Sequence, residues 1–125
     1  MNIKIVLFVV ILVFISLLTT LIYQNTQQAD INYYQARSYF EQSDYEQAIS
    51  LYQQSLKYRP QHIEALIELG RSYLWTGKNK QAIAVLQEAV SLKPEDEKLK
   101  LSLAQAFSWQ RRRAETQDSD REKNF

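Results

Sequence analysis

Cysteine is absent from the 125 residues, histidine occurs once, and glycine and proline occur only twice each. Without cysteine there are no disulfides and no thiolate metal sites. A helical domain needs neither, so cysteine usage leaves the compartment open. Catalytic material is equally scarce. An enzyme needs a nucleophile, a metal cluster or paired acids in a pocket, and His62 is the sole histidine. His62 lies just after Pro60 at a predicted helix start. A lone exposed histidine there reads as a capping or solvated residue, since the co-ligands of a metal site are missing. The reading is of a protein that is not an enzyme and takes no cofactor and no metal.

A charge excess of either sign is also lacking. Fifteen Lys and Arg face fourteen Asp and Glu, and with Lys4 set aside the chain beyond Tyr23 is balanced. No net field draws it onto nucleic acid, which argues against a DNA or RNA partner. The length allows one modest domain with appendages.

What is present is unevenly spread. The 46% hydrophobic content is concentrated in Ile5 to Tyr23, nineteen residues interrupted only by Ser16, Thr19 and Thr20. As a helix this run covers about 29 Å, close to one hydrocarbon core. The three hydroxyls can bond the carbonyl a turn earlier, which lets lipid tolerate them. The rival is a cleavable signal peptide. Its apolar region is shorter and ends in small residues, whereas Leu21, Ile22 and Tyr23 follow the threonines here and only Gln27 to Ala29 resembles a cleavage site. Lys4 and the free amine before the span, against Arg37 as the first basic residue after it, favour the N-terminus inside. The soluble part then faces out of the cytoplasm, into the periplasm if the source is a bacterium.

The remaining chain repeats itself at an offset of 34 residues. Arg37, Ser38 and Tyr39 pair with Arg71, Ser72 and Tyr73, Gln47-Ala48-Ile49 with Gln81-Ala82-Ile83, Gln53 with Gln87, and Pro60 with Pro94. A third copy follows, in which Leu69, Gly70, Tyr73 and Trp75 pair with Leu103, Ala104, Phe107 and Trp109. Within a period the apolar residues recur at helical spacing, as in Leu66, Leu69 and Tyr73, then Ala82, Ile83, Leu86, Ala89 and Val90. Each repeat is thus expected to be a helical hairpin. Ser43 with Glu46 reads as a capping box, Gly77 as a helix end, and Pro60 and Pro94 as separators. Acidic Glu95, Asp96 and Glu97 suit a helix N-terminus.

With these residues the chain resembles the tetratricopeptide repeat (TPR) family over about Ala29 to Gln110, most specifically in the copy Ile63 to Asp96. The resemblance puts the small position of the first helix at Ala36, Gly70 and Ala104 and its aromatic at Tyr39, Tyr73 and Phe107. In the second helix it picks out Ala48 and Ala82, Tyr52 and Leu86, and Ser55 and Ala89. The first copy departs from the pattern at Asn32 and Gln35, where the family prefers large apolar residues. The third lacks an apolar second helix, because Arg111-Arg112-Arg113 opens a charged stretch that ends at Phe125.

The expected fold is all-α: an N-terminal transmembrane helix followed by a short TPR-type α-solenoid of about two and a half repeats. Residues 1–23 are the anchor and 24–28 a linker or a continuation of the helix. Repeats follow at 29–62 and 63–96, a partial repeat or capping helix at 97–110, and a disordered charged tail at 111–125.

The resemblance implies a scaffold that binds partner segments in a concave groove lined by the first helix of each repeat. The groove positions are Tyr33, Arg37 and Phe40, then Ile67, Arg71, Leu74 and Trp75, then Leu101, Gln105 and Trp109. Arginines among apolar groups suit a hydrophobic segment carrying a carboxylate. For each residue the plain alternative is that the arginines solvate a helix face and the tryptophans pack between hairpins. The clamp by which some members hold chaperone C-termini is matched only at Lys98 among Tyr33, Arg37, Glu68, Lys98 and Ser102. The leading function is a membrane-tethered protein-binding adaptor. The alternatives are a self-associating structural component and an inner-membrane assembly factor of the cytochrome c maturation or exopolysaccharide export type.

Overall fold

Apolar residues three and four apart build helices from one end of the chain to the other. The computed structural model describes residues 1–124, and Phe125, the last residue of the expected tail, lies outside them. Among the described residues there are five helices and no strand: α1 (Ile3–Glu41), α2 (Tyr45–Tyr58), α3 (Ile63–Trp75), α4 (Asn79–Leu92) and α5 (Glu97–Lys123). Each packs chiefly on its neighbours in sequence, α1 on α2, α2 on α3, α3 on α4 and α4 on α5, so the fold is an all-α solenoid of hairpins.

The first 26 residues of α1 stand clear of this solenoid with every side chain exposed. The hydroxyls of Thr19 and Thr20 both donate to the Ser16 carbonyl at 2.9 Å, so these two polar groups of the apolar run are satisfied within the helix. No glycine or proline interrupts residues 24–28, and they run as helix into the first repeat. There α1 turns amphipathic, burying Ala29, Asn32 and Ala36. Asn32, a poor match to the family pattern, is buried with its carbonyl oxygen accepting from Gln28 Nε2 at 3.0 Å, which offsets its desolvation.

The hairpin seams rest on small side chains. Ala36, Ala48, Ala65, Ala82 and Ala89 are fully buried, and Tyr52, Leu66, Leu69, Leu86 and Leu99 fill the space between helices. Burial of each large side chain stabilises the fold by about 1.5–3 kcal/mol. At Gly70 the approach is closest, since a Cβ there would lie 2.8 Å from Leu86 Cγ. Ser55, fully buried, donates from its hydroxyl to the Ala29 carbonyl at 2.7 Å and so locks α2 against α1.

The hairpin turns also follow the repeat. Gly77 (φ +76°) and Ser43 (φ +62°), 34 residues apart, both take the left-handed conformation just after a first helix. Ser43 is therefore not the cap it was expected to be. Asp44 is the N-cap of α2, accepting from the Gln47 N–H at 3.3 Å. The same offset falls on Arg111 in the third copy, which is poorly suited to positive φ. No turn forms there, and α5 runs on to Lys123. The expectation of a disordered tail from residue 111 is corrected accordingly. The Arg113 guanidinium donates to the Gly77 carbonyl, so this extension is pinned to the α3–α4 turn. Because no second helix folds back, Ala104 and Phe107 remain exposed rather than filling a seam.

Gly70→Val tests the seam. Overpacking against Leu86 costs about 1–3 kcal/mol, more than the few tenths of a kcal/mol that valine gains over glycine in helix propensity. A net loss is expected in urea unfolding followed by circular dichroism, whereas the same change at exposed Ala84 should shift stability by less than about 1 kcal/mol.

Candidate functional site

Arginine and aromatic side chains gather where the first helices of successive repeats lie side by side. The Arg71 guanidinium carbon sits 5.1 Å from the centre of the Phe40 ring, which links α3 to α1 by a cation–π contact. Arg71 Nη1 also donates to Glu68 at 2.9 Å, and Arg37 Nε lies 3.5 Å from Glu41. Beside them the Tyr33 ring is 5.9 Å from Tyr52 and 4.7 Å from His62. Burial raises the pKa of the Tyr33 phenol, with Arg37 opposing and Glu68 and Glu64 reinforcing the shift.

A run of rings leads from this cluster along the face. Phe40 meets Tyr45 edge to face at 5.3 Å. Tyr45 stacks on Trp75 at 5.9 Å with the planes only 8° apart, and Trp75 meets Trp109 edge to face at 6.5 Å. Three repeats are thereby joined by aromatic contacts. The run stays open to solvent at Trp75, 59% exposed, and at Trp109, 39% exposed. Next to it Leu74, Asn79, Trp109, Arg112, Arg113 and Thr116 line an open cleft. Stacking holds the ring faces in fixed positions and leaves ring edges open to solvent.

The ten expected groove residues divide by role. Phe40 and Arg71 are in contact, Tyr33 and Arg37 lie electrostatically beside Glu68, and Trp75 and Trp109 touch across repeats. Ile67 is half-buried against Leu66, Ala89 and Leu99, and Leu74 packs on two core clusters, so both also hold repeats together. Leu101, 60% exposed, and Gln105 project into solvent.

Three residues of the site are not among the ten groove positions expected from the sequence. Glu68 occupies the Arg71 guanidinium, and its i,i+3 spacing was a signal available in the sequence. Tyr45 belongs to a second helix, outside the set of first-helix positions, yet it stacks where repeat one has Glu41 in place of the tryptophan. Tyr52 lies beneath the cluster, fully buried, and its hydroxyl makes no hydrogen bond among the described residues. Burial above all, then Glu68 and Tyr33, pushes its pKa well above the usual phenol range, so it remains a hydrogen-bond donor.

His62 is placed differently from the expectation of an exposed residue. Its side chain is 11% exposed, it makes no capping bond to α3, and its Nδ1 is buried without a partner. Desolvation, then the charge of Arg59, lowers its pKa, against weaker opposing effects of Glu64 and Asp30. Packing against Tyr33 explains the difference. Among the described residues no cluster of three or more His, Asp or Glu side chains could hold a metal ion.

The geometry defines a class: an array of helical hairpins, each packed on the next, the form of an α-helical repeat solenoid. A family model described as "Tetratricopeptide repeat" matches residues 39–106, more than half of the chain, and the chain belongs to that family. Solved structures share the fold. One, the "First TPR of Spaghetti (RPAP3) bound to HSP90 peptide SRMEEVD", is 21% identical with a TM-score of 0.64, over 72% of this chain and 73% of that one. Another, the "Crystal structure of MamA", is 19% identical with a TM-score of 0.65, over 80% of this chain and 63% of that one. No curated protein sequence matches this chain significantly.

His62 yields a pH test. The folded ring resists protonation, so its contribution to stability is fully present above the unfolded pKa of 6.5 and is lost as pH falls through the depressed folded value. His62→Phe is expected to keep the contact with Tyr33 and to flatten the fall in melting temperature between about pH 7 and pH 5. Parallel thermal scans of both proteins measure this. A wild-type slope retained in the variant would assign the pH dependence to other groups.

Proposed function

We propose that this chain is a membrane-tethered adaptor that holds segments of other proteins on the face built by α1, α3 and α5. The observation that carries the reading is the aromatic run from Phe40 through Tyr45 and Trp75 to Trp109, continuous over three repeats and open to solvent. Family membership supports a protein-binding role, and a structural relative with the same fold holds a peptide of another protein. The tether is the apolar part of α1, which is long enough to cross a bilayer and buries none of its apolar window in the fold. With Lys4 inside, the array faces away from the cytoplasm, in the periplasm of a bacterium.

The ligand chemistry follows from charge. Glu68 already neutralises Arg71 and lies near Arg37, so a strongly acidic tail would meet a carboxylate of like sign. The face fits an apolar segment with a single carboxylate, placed to exchange with Glu68 on Arg71.

Assembly factors for membrane-linked pathways such as cytochrome c maturation or exopolysaccharide export are one setting for such an adaptor. Self-association is a second reading, favoured by one observation: Ala104 and Phe107 stay uncovered at the end of the array, where another copy could stack.

Crosslinking in cells followed by affinity capture tests the adaptor. Wild type is expected to retain a defined partner, and Arg71→Glu and Trp75→Ala should each weaken its capture by about tenfold or more, as for central residues of an interface. Circular dichroism confirms that each variant is folded. Capture of nothing but the protein itself would favour self-association.

A further inference from the structure

Helix α1 continues without a break from the apolar run into the first repeat, so the height of every later element above the bilayer is set by helical register. The buried bond of Ser55 Oγ to the Ala29 carbonyl fixes that register for α2, and from the end of α2 the long Arg59 side chain reaches back to place Nη1 2.6 Å from the Asp30 carboxylate. Helix α2 returns antiparallel to α1 after the turn at 42–44, so each residue past Ser55 moves toward the membrane. Tyr58, three residues on, reaches the level of Thr26, about 4.5 Å beyond Tyr23 at the end of the apolar run. The headgroup layer is roughly 5–8 Å thick on each side of the core. A helix tilt of about 20° shifts α2, whose axis lies about 10 Å away, by only 3–4 Å. The corner between α2 and α3 therefore lies at headgroup depth.

The residues at this corner suit that depth. Tyr58 is 44% exposed with no core role, Lys57 and Pro60 are exposed, and Arg59 is half-exposed beside Asp30. Tyrosine favours the membrane–water boundary because its ring is apolar and its hydroxyl polar, and lysine places its charge among lipid phosphates. Tyr23, 63% exposed on the span itself, belongs to the same level.

We propose that the α2–α3 corner, Lys57 to Pro60, is a lipid-contact surface that seats the array on the bilayer, with Tyr58 in the headgroup layer. The proposal rests on the reading of α1 as a membrane span, and the test separates the two. Single-tryptophan proteins are made by replacing Trp75 and Trp109 with Phe and introducing Tyr58→Trp, Tyr23→Trp or Lys80→Trp. Each is reconstituted as the full chain in phosphatidylcholine–phosphatidylglycerol vesicles that carry a nitroxide on the lipid headgroup or on the acyl chain.

Tyr58→Trp is expected to lose about half its emission to the headgroup nitroxide, as does a residue at the interface. Lys80→Trp, at the opposite end of the array, should be unaffected, and Tyr23→Trp should respond to both labels. Inserting Gly-Gly-Ser after Gln27 is expected to release the corner and at least halve the Tyr58→Trp quenching, since the rigid rod sets its height. Quenching of Tyr23→Trp without quenching of Tyr58→Trp would overturn the proposal and leave the span intact. Absence of quenching at both positions would overturn the span, and the proposal with it. Undiminished quenching after the insertion would overturn the rigid-rod basis of the contact.

Discussion

The close approach of paired helices is the constraint on which the array depends. Where paired helices approach most closely the side chains are small: Gly70 leaves no room for a Cβ beside Leu86, and Ala36, Ala48 and Ala82 are wholly enclosed. Where the seam closes, a hairpin forms and its first helix is fixed relative to the next, which brings Phe40 under Arg71 and Tyr45 onto Trp75. Where it fails to close the repeat ends. Ala104 keeps the small side chain of a seam position, but no helix returns to cover it. The aromatic face is thus a consequence of packing on the other side of the same helices.

Helical period, hairpin pairing and small seam residues were legible in the sequence, because a repeat displays each of them two or three times. Features that depend on one position were harder to read. Ser43 and Asp44 are both good capping residues, and the left-handed turn decides between them by claiming Ser43. His62 looked exposed beside Pro60, but its environment is set by Tyr33, 29 positions earlier in the chain and invisible to local pattern. The charged stretch after Gln110 has too little apolar surface for a core, yet it needs none to extend a helix already begun at Asp96. That cap is well formed, with the Asp96 carboxylate accepting from the Leu99 and Lys98 N–H groups, and these bonds lower its pKa.

The candidate site was legible in outline and not in balance. Spacing along the first helices identified the arginines and tryptophans, but the energetics of the face turn on their partners. Exposed pairs such as Arg37 with Glu41 stabilise by less than about 1 kcal/mol and can be exchanged for a ligand at little cost. Arg71 differs because it is held both by Glu68 and by the face of Phe40, a preorganised cation whose carboxylate partner is the exchangeable element.

Helix α1 ties the two halves of the chain into one geometry. Phe40 stands seventeen residues beyond Tyr23, about 25 Å along the same helix. The aromatic run begins there and continues at the end of α3 and midway along α5, away from the apolar segment. A flexible linker would let that face sample all directions, whereas an unbroken helix gives it one. In the proposed adaptor a partner segment would be met at a fixed height and orientation. Because α1 is ordered on folding, that proposed binding would spend no free energy on ordering the connection.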